Sequence, residues 1–184
     1  MEIINVLDIE NYKPDTSDIF FFDNNIWMFL FCPLGNHEVH KQRAYSDFLK
    51  EIQEVKATIY VNDLVLSEFS NTYFRMDFNQ WEKEVEGYQT YKKDYVGTPR
   101  YQAIANEIHH AINDIMSITN HADNFLDSVN INSILSHMAH IDFNDSFYLE
   151  QARLGNWKIV TDDHDFQKVS HQVPIITKMN HYYY

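Results

Sequence analysis

Short apolar runs alternate along the chain with longer segments whose apolar residues recur at helical spacing. Four runs are rich in β-branched or aromatic residues, and their length and composition predict buried strands. Pro174 has no backbone N–H and predicts that the last of these strands lies at an edge of the sheet. The predicted strands cover residues 19–22, 57–61, 157–161 and 173–176.

The segments between these strands have the apolar periodicity of helices. One begins at a cap formed by Asn62 or Asp63, and another runs from Asp142 to Gly155, a residue type that suits a helix C-cap. The other predicted helices cover residues 26–31, 39–55, 99–118 and 124–140. Strands that alternate with helices favour an α/β fold with a mostly parallel central sheet flanked by helices. We expect one domain over 1–184, with a helical insertion or cap at about 76–140.

Composition supports a packed globular protein. Hydrophobic residues make up 45% of the chain, and only 4 Gly and 4 Pro interrupt it, which favours long helices. Cys32 is the single cysteine, so no disulfide can form within the chain, and a reducing cytoplasm is favoured. The N-terminus has no signal-peptide pattern, and the longest apolar run, 26–32, is too short for a bilayer. These features predict a cytoplasmic protein without a membrane segment.

The formal net charge of −13 counts against a simple nucleic-acid binder, because the phosphate backbone favours basic surfaces. It is compatible with a nuclease whose carboxylates bind cations, since the metal offsets part of the charge. Any patch that binds a polyanionic substrate would have to be local. The candidates for it, each better explained singly as a solvated surface residue, are Arg75, Lys83, Lys92, Lys93 and Arg100.

Four acidic residues share one position relative to the predicted strands. Asp23 directly follows the first strand, and Glu68 lies early in the helix after the second. Asp145 opens the helix before the third strand, and Asp163 follows that strand. Ligands of open α/β sheets bind beyond the carboxyl ends of the strands, so we expect these acids to meet there. Carboxylates this close repel one another without a cation, and a set of oxygen ligands suits Mg²⁺ or Mn²⁺.

Each acid taken alone also has a structural explanation. Asp23 could cap a helix, and Asp142 with Asp145 could form a capping pair, which for Asp142 is the preferred interpretation. The order and placement of the acids, rather than any one of them, favour a site. From its own context Glu68 is better explained as a solvated helix residue, whereas Asp163 and Asp165 could equally be turn residues.

Four segments resemble motifs of the PIN-domain family. Residues 159–166 resemble the signature in which a strand ends in Thr-x-Asp and an Asp-Phe pair follows. Residues 145–152 resemble the family's Asp-led, Ala-bearing helix, while 22–25 and 64–69 resemble its first-strand and second-helix motifs. All four segments occur in the family's order and together span most of the chain.

The resemblance implies a three-layer, PIN-like fold and a divalent-metal-dependent endoribonuclease that hydrolyses RNA. It is compatible with the toxin of a VapC-like toxin–antitoxin pair, with an antitoxin as partner and a homodimer as assembly, although the segment 76–140 is longer than such compact toxins need. In the resemblance, the acids that bind Mg²⁺ or Mn²⁺ are Asp23, Glu68, Asp145 and Asp163. Residues that would orient or support them are Asn25, Thr161, Asp142 and Asp165.

Two other function classes remain open. A non-catalytic PIN-like scaffold or binding protein would bind metal without turnover. A metal-dependent phosphatase on an α/β sheet would also place an Asp after the first strand, but it usually needs a Lys at a later strand end. No Lys directly follows 57–61 or 157–161, and Asn25 stands where a haloacid-dehalogenase-type site would need a second Asp.

Overall fold

A single parallel sheet organises the chain. In the computed structural model, which describes residues 5–35, 37–122 and 129–178, six strands are present. They are β1 (Val6–Asp8), β2 (Ile19–Phe22), β3 (Thr58–Val61), β4 (Asn120–His121), β5 (Lys158–Val160) and β6 (Ile175–Thr177). Their order across the sheet is β1-β6-β5-β2-β3-β4, and every neighbouring pair runs parallel. The predicted α/β fold with a central parallel sheet is confirmed.

Helices lie between most of these strands, whereas turns and irregular backbone join β1 to β2 over residues 9–18. The helices are α1 (Asn24–Phe31), α2 (Val39–Val55), α3 (Asp63–Trp81), α4 (Pro99–Ile118), α5 (Ile131–His137) and α6 (Phe143–Gly155). A π-helical turn covers Tyr91–Tyr95, and a 3₁₀ helix covers His164–Val169. Asn62 caps α3 by accepting a hydrogen bond from the backbone N–H of Val65 at 2.8 Å. Among the helices of the described residues, none has the length and apolar composition needed to cross a membrane.

The middle strand β2 is buried on both faces, and its side chains show how the layers are arranged. Phe20 and Phe21 are neighbours on a strand, so their side chains point to opposite faces of the sheet. The ring of Phe20 contacts Phe48 of α2 at 5.7 Å between centroids, and the ring of Phe21 contacts Tyr148 of α6 at 4.9 Å. Helices α2 and α6 therefore lie on opposite faces, which makes three layers.

The pairing of β2 with β5 places the two strand ends side by side. Phe22 is in register with Val160, and the backbone N–H of Asp23 donates to the carbonyl of Val160 at 3.0 Å. Asp23 and Thr161 thus begin the loops beyond the sheet as direct neighbours, although 138 residues separate them along the chain.

The sheet corrects the edge position predicted for the last strand. β6 lies between β1 and β5 rather than at an edge. Pro174 stands just before β6 and needs no ladder N–H there, while its carbonyl accepts from Ile159 N–H at 3.0 Å. Strands β1 and β4 were not predicted at all.

The helix end predicted at Gly155 is confirmed, whereas its C-cap residue and the extent of a second helix are corrected. Gly155 is the last residue of α6, and the C-cap is Asn156 with a φ of 54°, in the left-handed region that Asn tolerates better than most residues. The helix predicted over 124–140 is represented by α5 alone, and residues 124–128 of that prediction lie outside the described residues.

Asp77 lies near the end of α3 and is bonded to two residues of the segment that follows this helix. Its side chain is 1% exposed and accepts from the Tyr95 hydroxyl at 2.7 Å and from Nε and Nη2 of Arg100 at 2.9 and 2.8 Å. Arg100 also contacts Glu84 at 2.5 Å. Arg100 is therefore engaged in a structural ion pair, which corrects its suggested place in a substrate-binding patch.

The substitution Arg100→Ala should lower the free energy of unfolding by about 3 kcal/mol, because it leaves the buried Asp77 carboxylate without its counter-ion. Urea denaturation measures the loss. Arg43→Ala is the control, since the Arg43–Asp47 pair is exposed and should contribute less than about 1 kcal/mol. Equal losses in the two variants would contradict the anchoring role of Asp77.

Candidate active site

Asp23 lies at the carboxyl end of β2 and is 4% exposed. One carboxylate oxygen accepts from the backbone N–H of Asn24 at 2.6 Å and caps α1. The other oxygen accepts from the Asn25 amide at 2.5 Å and from the Thr161 hydroxyl at 2.7 Å. Burial raises the pKa of Asp23 to about 7; the Thr161 hydrogen bond opposes this rise, and the charge of Glu68 adds to it. The carboxylate is thus both a helix cap and part of an acidic cluster.

Asn25 and Thr161 join the end of β2 to the end of β5. The amide of Asn25 donates to Thr161 Oγ1 at 3.1 Å, and its carbonyl accepts from the backbone N–H of Asp162 at 3.1 Å. Thr161 Oγ1 also accepts from the backbone N–H of Asp163 at 3.0 Å. Since the same hydroxyl donates to Asp23, its one donor and two acceptor positions are all used. This network fixes the orientation of Asp23 relative to the loop that carries Asp163.

Asp145 lies in the first turn of α6, and its backbone N–H donates to the Asp142 side chain at 3.0 Å. Burial, together with the charges of Asp23, Asp142, Asp163 and Glu68, raises the pKa of the Asp145 carboxyl to about 9. Asp142 itself is the N-cap residue of α6, as preferred from the sequence. Three acids from other segments of the chain, together with Asp142 at the start of the same helix, therefore act on one carboxyl group.

Glu68 lies on α3, and its carboxylate accepts hydrogen bonds from three side chains. The amide of Asn24 donates to Oε1 at 3.3 Å, and the amide of Asn144 donates to Oε2 at 3.2 Å. The Tyr148 hydroxyl also donates to Oε2, at 2.9 Å. Burial and the charge of Glu68 raise the pKa of that hydroxyl well above its usual range.

These three donors were missed in the sequence, where Tyr148 reads as an ordinary core residue of a helix. The only available signal is position: Asn24 adjoins Asp23, Asn144 adjoins Asp145, and Tyr148 lies one helical turn after Asp145.

The loop after β5 carries three more acids with different surroundings. Asp163 caps the 3₁₀ helix by accepting from the backbone N–H of Asp165 at 2.8 Å. Asp165 is half exposed and pairs with Lys168 at 2.6 Å. Asp162 pairs with Lys41 of α2 at 2.8 Å and accepts from the Tyr45 hydroxyl at 3.0 Å. Of these acids, only Asp163 raises the pKa of Asp23 and Asp145.

The donor atoms around Asp23 and Glu68 fit a divalent cation by their chemistry rather than by their present arrangement. As the side chains stand, no group of three or more His, Cys, Asp or Glu within 5–35, 37–122 and 129–178 is arranged to hold a metal ion. The donor chemistry nevertheless fits, because the side chains are oxygen donors of the kind Mg²⁺ and Mn²⁺ prefer. In addition, the side-chain amide oxygen of Asn24, Oδ1, is buried and has no hydrogen-bond partner among the described residues, while the amide nitrogen of the same side chain donates to Glu68.

The family is established by comparison with known proteins. The model of the PIN domain matches residues 20–172, a range that contains all four acids, and the chain therefore belongs to the PIN domain family. Members of this family are usually nucleases. No curated protein matches the sequence.

Solved structures show the same fold at low sequence identity. A chain in the crystal structure of VapBC2 from Rickettsia felis bound to a DNA fragment from their promoter is 12% identical, with a TM-score of 0.54; the match covers 86% of this chain and 98% of that one. A chain of FitAcB from Neisseria gonorrhoeae is 12% identical, with a TM-score of 0.52, and the match covers 85% and 96%. At this identity the likeness establishes the fold alone.

Proposed function

We propose that the protein is a divalent-metal-dependent endoribonuclease whose metal site is formed by Asp23, Glu68, Asp145 and Asp163. The observation that carries the proposal is the convergence of the segments that bear these acids: Asn24 beside Asp23 and Asn144 beside Asp145 both donate to Glu68. Thr161 donates to Asp23 and accepts from the backbone N–H of Asp163. The pKa values agree, since Glu68 and Asp163 raise the pKa of Asp23, and all three acids raise that of Asp145. A fold gains no stability from placing four carboxylates together, whereas a bound cation would turn their repulsion into attraction.

A metal ion bound here would supply an activated water and stabilise the charge on the phosphoryl oxygens. The chain's own contribution is orientation: Asn25 and Thr161 hold the Asp23 carboxylate in place between the ends of β2 and β5. Burial also keeps bulk water away from Asp23, which strengthens its interaction with any cation. Because the Asp145 carboxyl has a pKa of about 9, it carries a proton at pH 7 that cation binding would release.

Single-stranded RNA is the substrate we propose, because its unpaired bases and backbone are accessible to a cleft of side chains. Arg75, Lys83, Lys92 and Lys93 are exposed on the segment after the middle of α3. Arg75 also lies over the ring of Tyr91 at 4.4 Å. These cations are the part of the predicted basic patch that remains after Arg100 is excluded.

The biological role we propose is the toxin of a toxin–antitoxin pair. The resemblance to VapC-like PIN domains supports it, and the structures that share the fold include VapBC2 and FitAcB. The net charge of −13 favours a partner with a basic surface, which is the electrostatic character we propose for an antitoxin. A homodimer stays a prediction, which sedimentation of the purified chain would test.

The test is cleavage of a labelled single-stranded RNA by the purified wild-type protein. We expect cleavage with Mg²⁺ or Mn²⁺, none in EDTA, recovery when the metal is restored, and products with a 5′-phosphate and a 3′-hydroxyl. An Asp163→Asn variant purified in the same way controls for contaminating ribonucleases. Cleavage that persists in EDTA, or that is absent with either metal, would contradict the proposal.

Calorimetry with Mn²⁺, run beside the nuclease assay, separates this function from its alternative. Metal binding without turnover on RNA would identify a non-catalytic PIN-like binding protein.

A further inference from the structure

We infer that Tyr148 is a positioning residue that, together with Asn144 and Asn24, holds the Glu68 carboxylate in the orientation required for metal binding. The inference rests on the proposed metal site and assigns a role to residues outside the four acids. The evidence is the set of three donors that surround one carboxylate from two different helices.

The three donors divide unequally between the two oxygens of Glu68. Oε2 accepts from the Tyr148 hydroxyl at 2.9 Å and from the Asn144 amide at 3.2 Å. Oε1 accepts only from the Asn24 amide, at 3.3 Å. An ionised carboxylate has about four acceptor positions, two on each oxygen. Oε2 is therefore saturated, and Oε1 keeps one position for a cation or for a water bound to it.

The donors also come from the elements that carry the other acids. Asn24 follows Asp23 in the first turn of α1, and Asn144 precedes Asp145 in the first turn of α6. Tyr148 lies one turn further along the same helix, so its side chain is on the same helix face as Asp145. Glu68 is thus fixed relative to both neighbouring acids, which α3 alone could not achieve.

Tyr148 is better suited to positioning than to substrate contact. Its side chain is fully buried, and its ring packs on Phe21 at 4.9 Å between centroids. A buried tyrosine hydroxyl needs a hydrogen-bond partner, and among the described residues that partner is Glu68. The Asn24 amide is also fully engaged within the protein, because it donates to both Glu68 and Thr72 at 3.3 Å.

The experiment compares Mn²⁺ affinity in wild type and Tyr148→Phe, with free Mn²⁺ followed by electron paramagnetic resonance. Phe keeps the ring that packs on Phe21 and removes only the hydroxyl. We expect the affinity to fall roughly tenfold, the lower range for loss of a group that orients a metal ligand. The matched control is Tyr73→Phe, because the Tyr73 hydroxyl also donates to a carboxylate at 2.9 Å, that of Glu107, outside the cluster. Its Mn²⁺ affinity should equal that of wild type.

A Glu68→Gln background distinguishes positioning from a general structural effect. If Tyr148 acts through Glu68, the Tyr148→Phe change should have little further effect on Mn²⁺ affinity once that carboxylate is gone. Asn144→Ala provides a second variant at a half-buried helix position, with a smaller loss in the same direction.

The outcomes separate the two proposals. If wild type binds no Mn²⁺, the metal site and this inference both fall. If wild type binds Mn²⁺ and Tyr148→Phe binds it equally well, or loses the same affinity in the Glu68→Gln background, only the positioning role is overturned.

Discussion

Asp23→Asn should abolish Mg²⁺- or Mn²⁺-dependent RNA cleavage and leave the chain folded. Asn has the shape of Asp, and its carbonyl can still accept from the backbone N–H of Asn24 and cap α1. The substitution removes the charge that would attract the cation. We expect the cleavage rate to fall by more than about 100-fold, the upper range for losing a group that merely orients a ligand. Initial rates on single-stranded RNA and the far-UV circular dichroism spectrum measure the two parts of this prediction.

A matched control exists on α4, where Asp114 is exposed and lies outside the acidic cluster. Asp114→Asn makes the same chemical change and should retain wild-type rates. A fully active Asp23→Asn protein would remove Asp23 from the metal site and with it the central part of the proposed function.

Asp145→Asn should stabilise the metal-free protein, by about 3 kcal/mol at pH 7. The pKa of the Asp145 carboxyl rises from 3.8, its ordinary value, to about 9 in the folded protein. The folded state therefore binds this proton more tightly than the unfolded state does. Stability from the protonated group is complete below pH 3.8 and is lost progressively as the pH rises towards 9. Asn is neutral at every pH and avoids that loss.

The loss of a favourable interaction with the helix dipole opposes the stabilisation expected for Asp145→Asn, but it is smaller. Asp145 lies in the first turn of α6, where the fraction that is ionised at the higher pH values interacts favourably with the helix dipole, by about 0.3–1 kcal/mol for the full charge. The free energy gained by removing a buried ionisable group that is also repelled by its neighbours exceeds this amount, so the net change should be stabilising.

Urea denaturation in EDTA at pH 5, 7 and 8.5 tests the prediction. The difference in stability between Asp145→Asn and wild type should widen as the pH rises. Added Mn²⁺ should reverse the order, because only wild type gains stability from binding the cation. A difference that is constant with pH, or a variant that is less stable in EDTA, would show that Asp145 is not under this repulsion.

The strands near the middle of the sheet could be predicted because they are buried on both faces. Phe20, Phe21 and Phe22 form a continuous apolar run for that reason, and so do Ile159 and Val160. The outer strands have three and two residues, Val6–Asp8 and Asn120–His121, and are too short to carry a pattern. Their conformation depends on the neighbouring strand rather than on their own sequence. Pro174 was misleading because it precedes the ladder of β6 instead of interrupting it.

The four acids could be proposed from the sequence because topology alone brings strand ends together. Their hydrogen-bond partners could not, since a contact such as Tyr148 to Glu68 spans 80 residues and depends on how α6 faces α3. In the sequence a tyrosine among apolar helix residues predicts only burial. Arg100 could not be assigned for a similar reason, because its buried partner Asp77 is 23 residues away in the preceding helix.

The position of β5 has a consequence during synthesis on the ribosome. This strand fills the gap between β2 and β6, yet it is translated after β2 and after all of the helices α1 to α6. Until residues 158–160 emerge, Ile19–Phe22 lacks its neighbour on one side, so a growing chain holds an incomplete sheet. Asp163 is also still missing at that stage, and Asp145 has only just been made. The four acids of the proposed metal site therefore cannot come together on the ribosome until the segment after β5 has emerged.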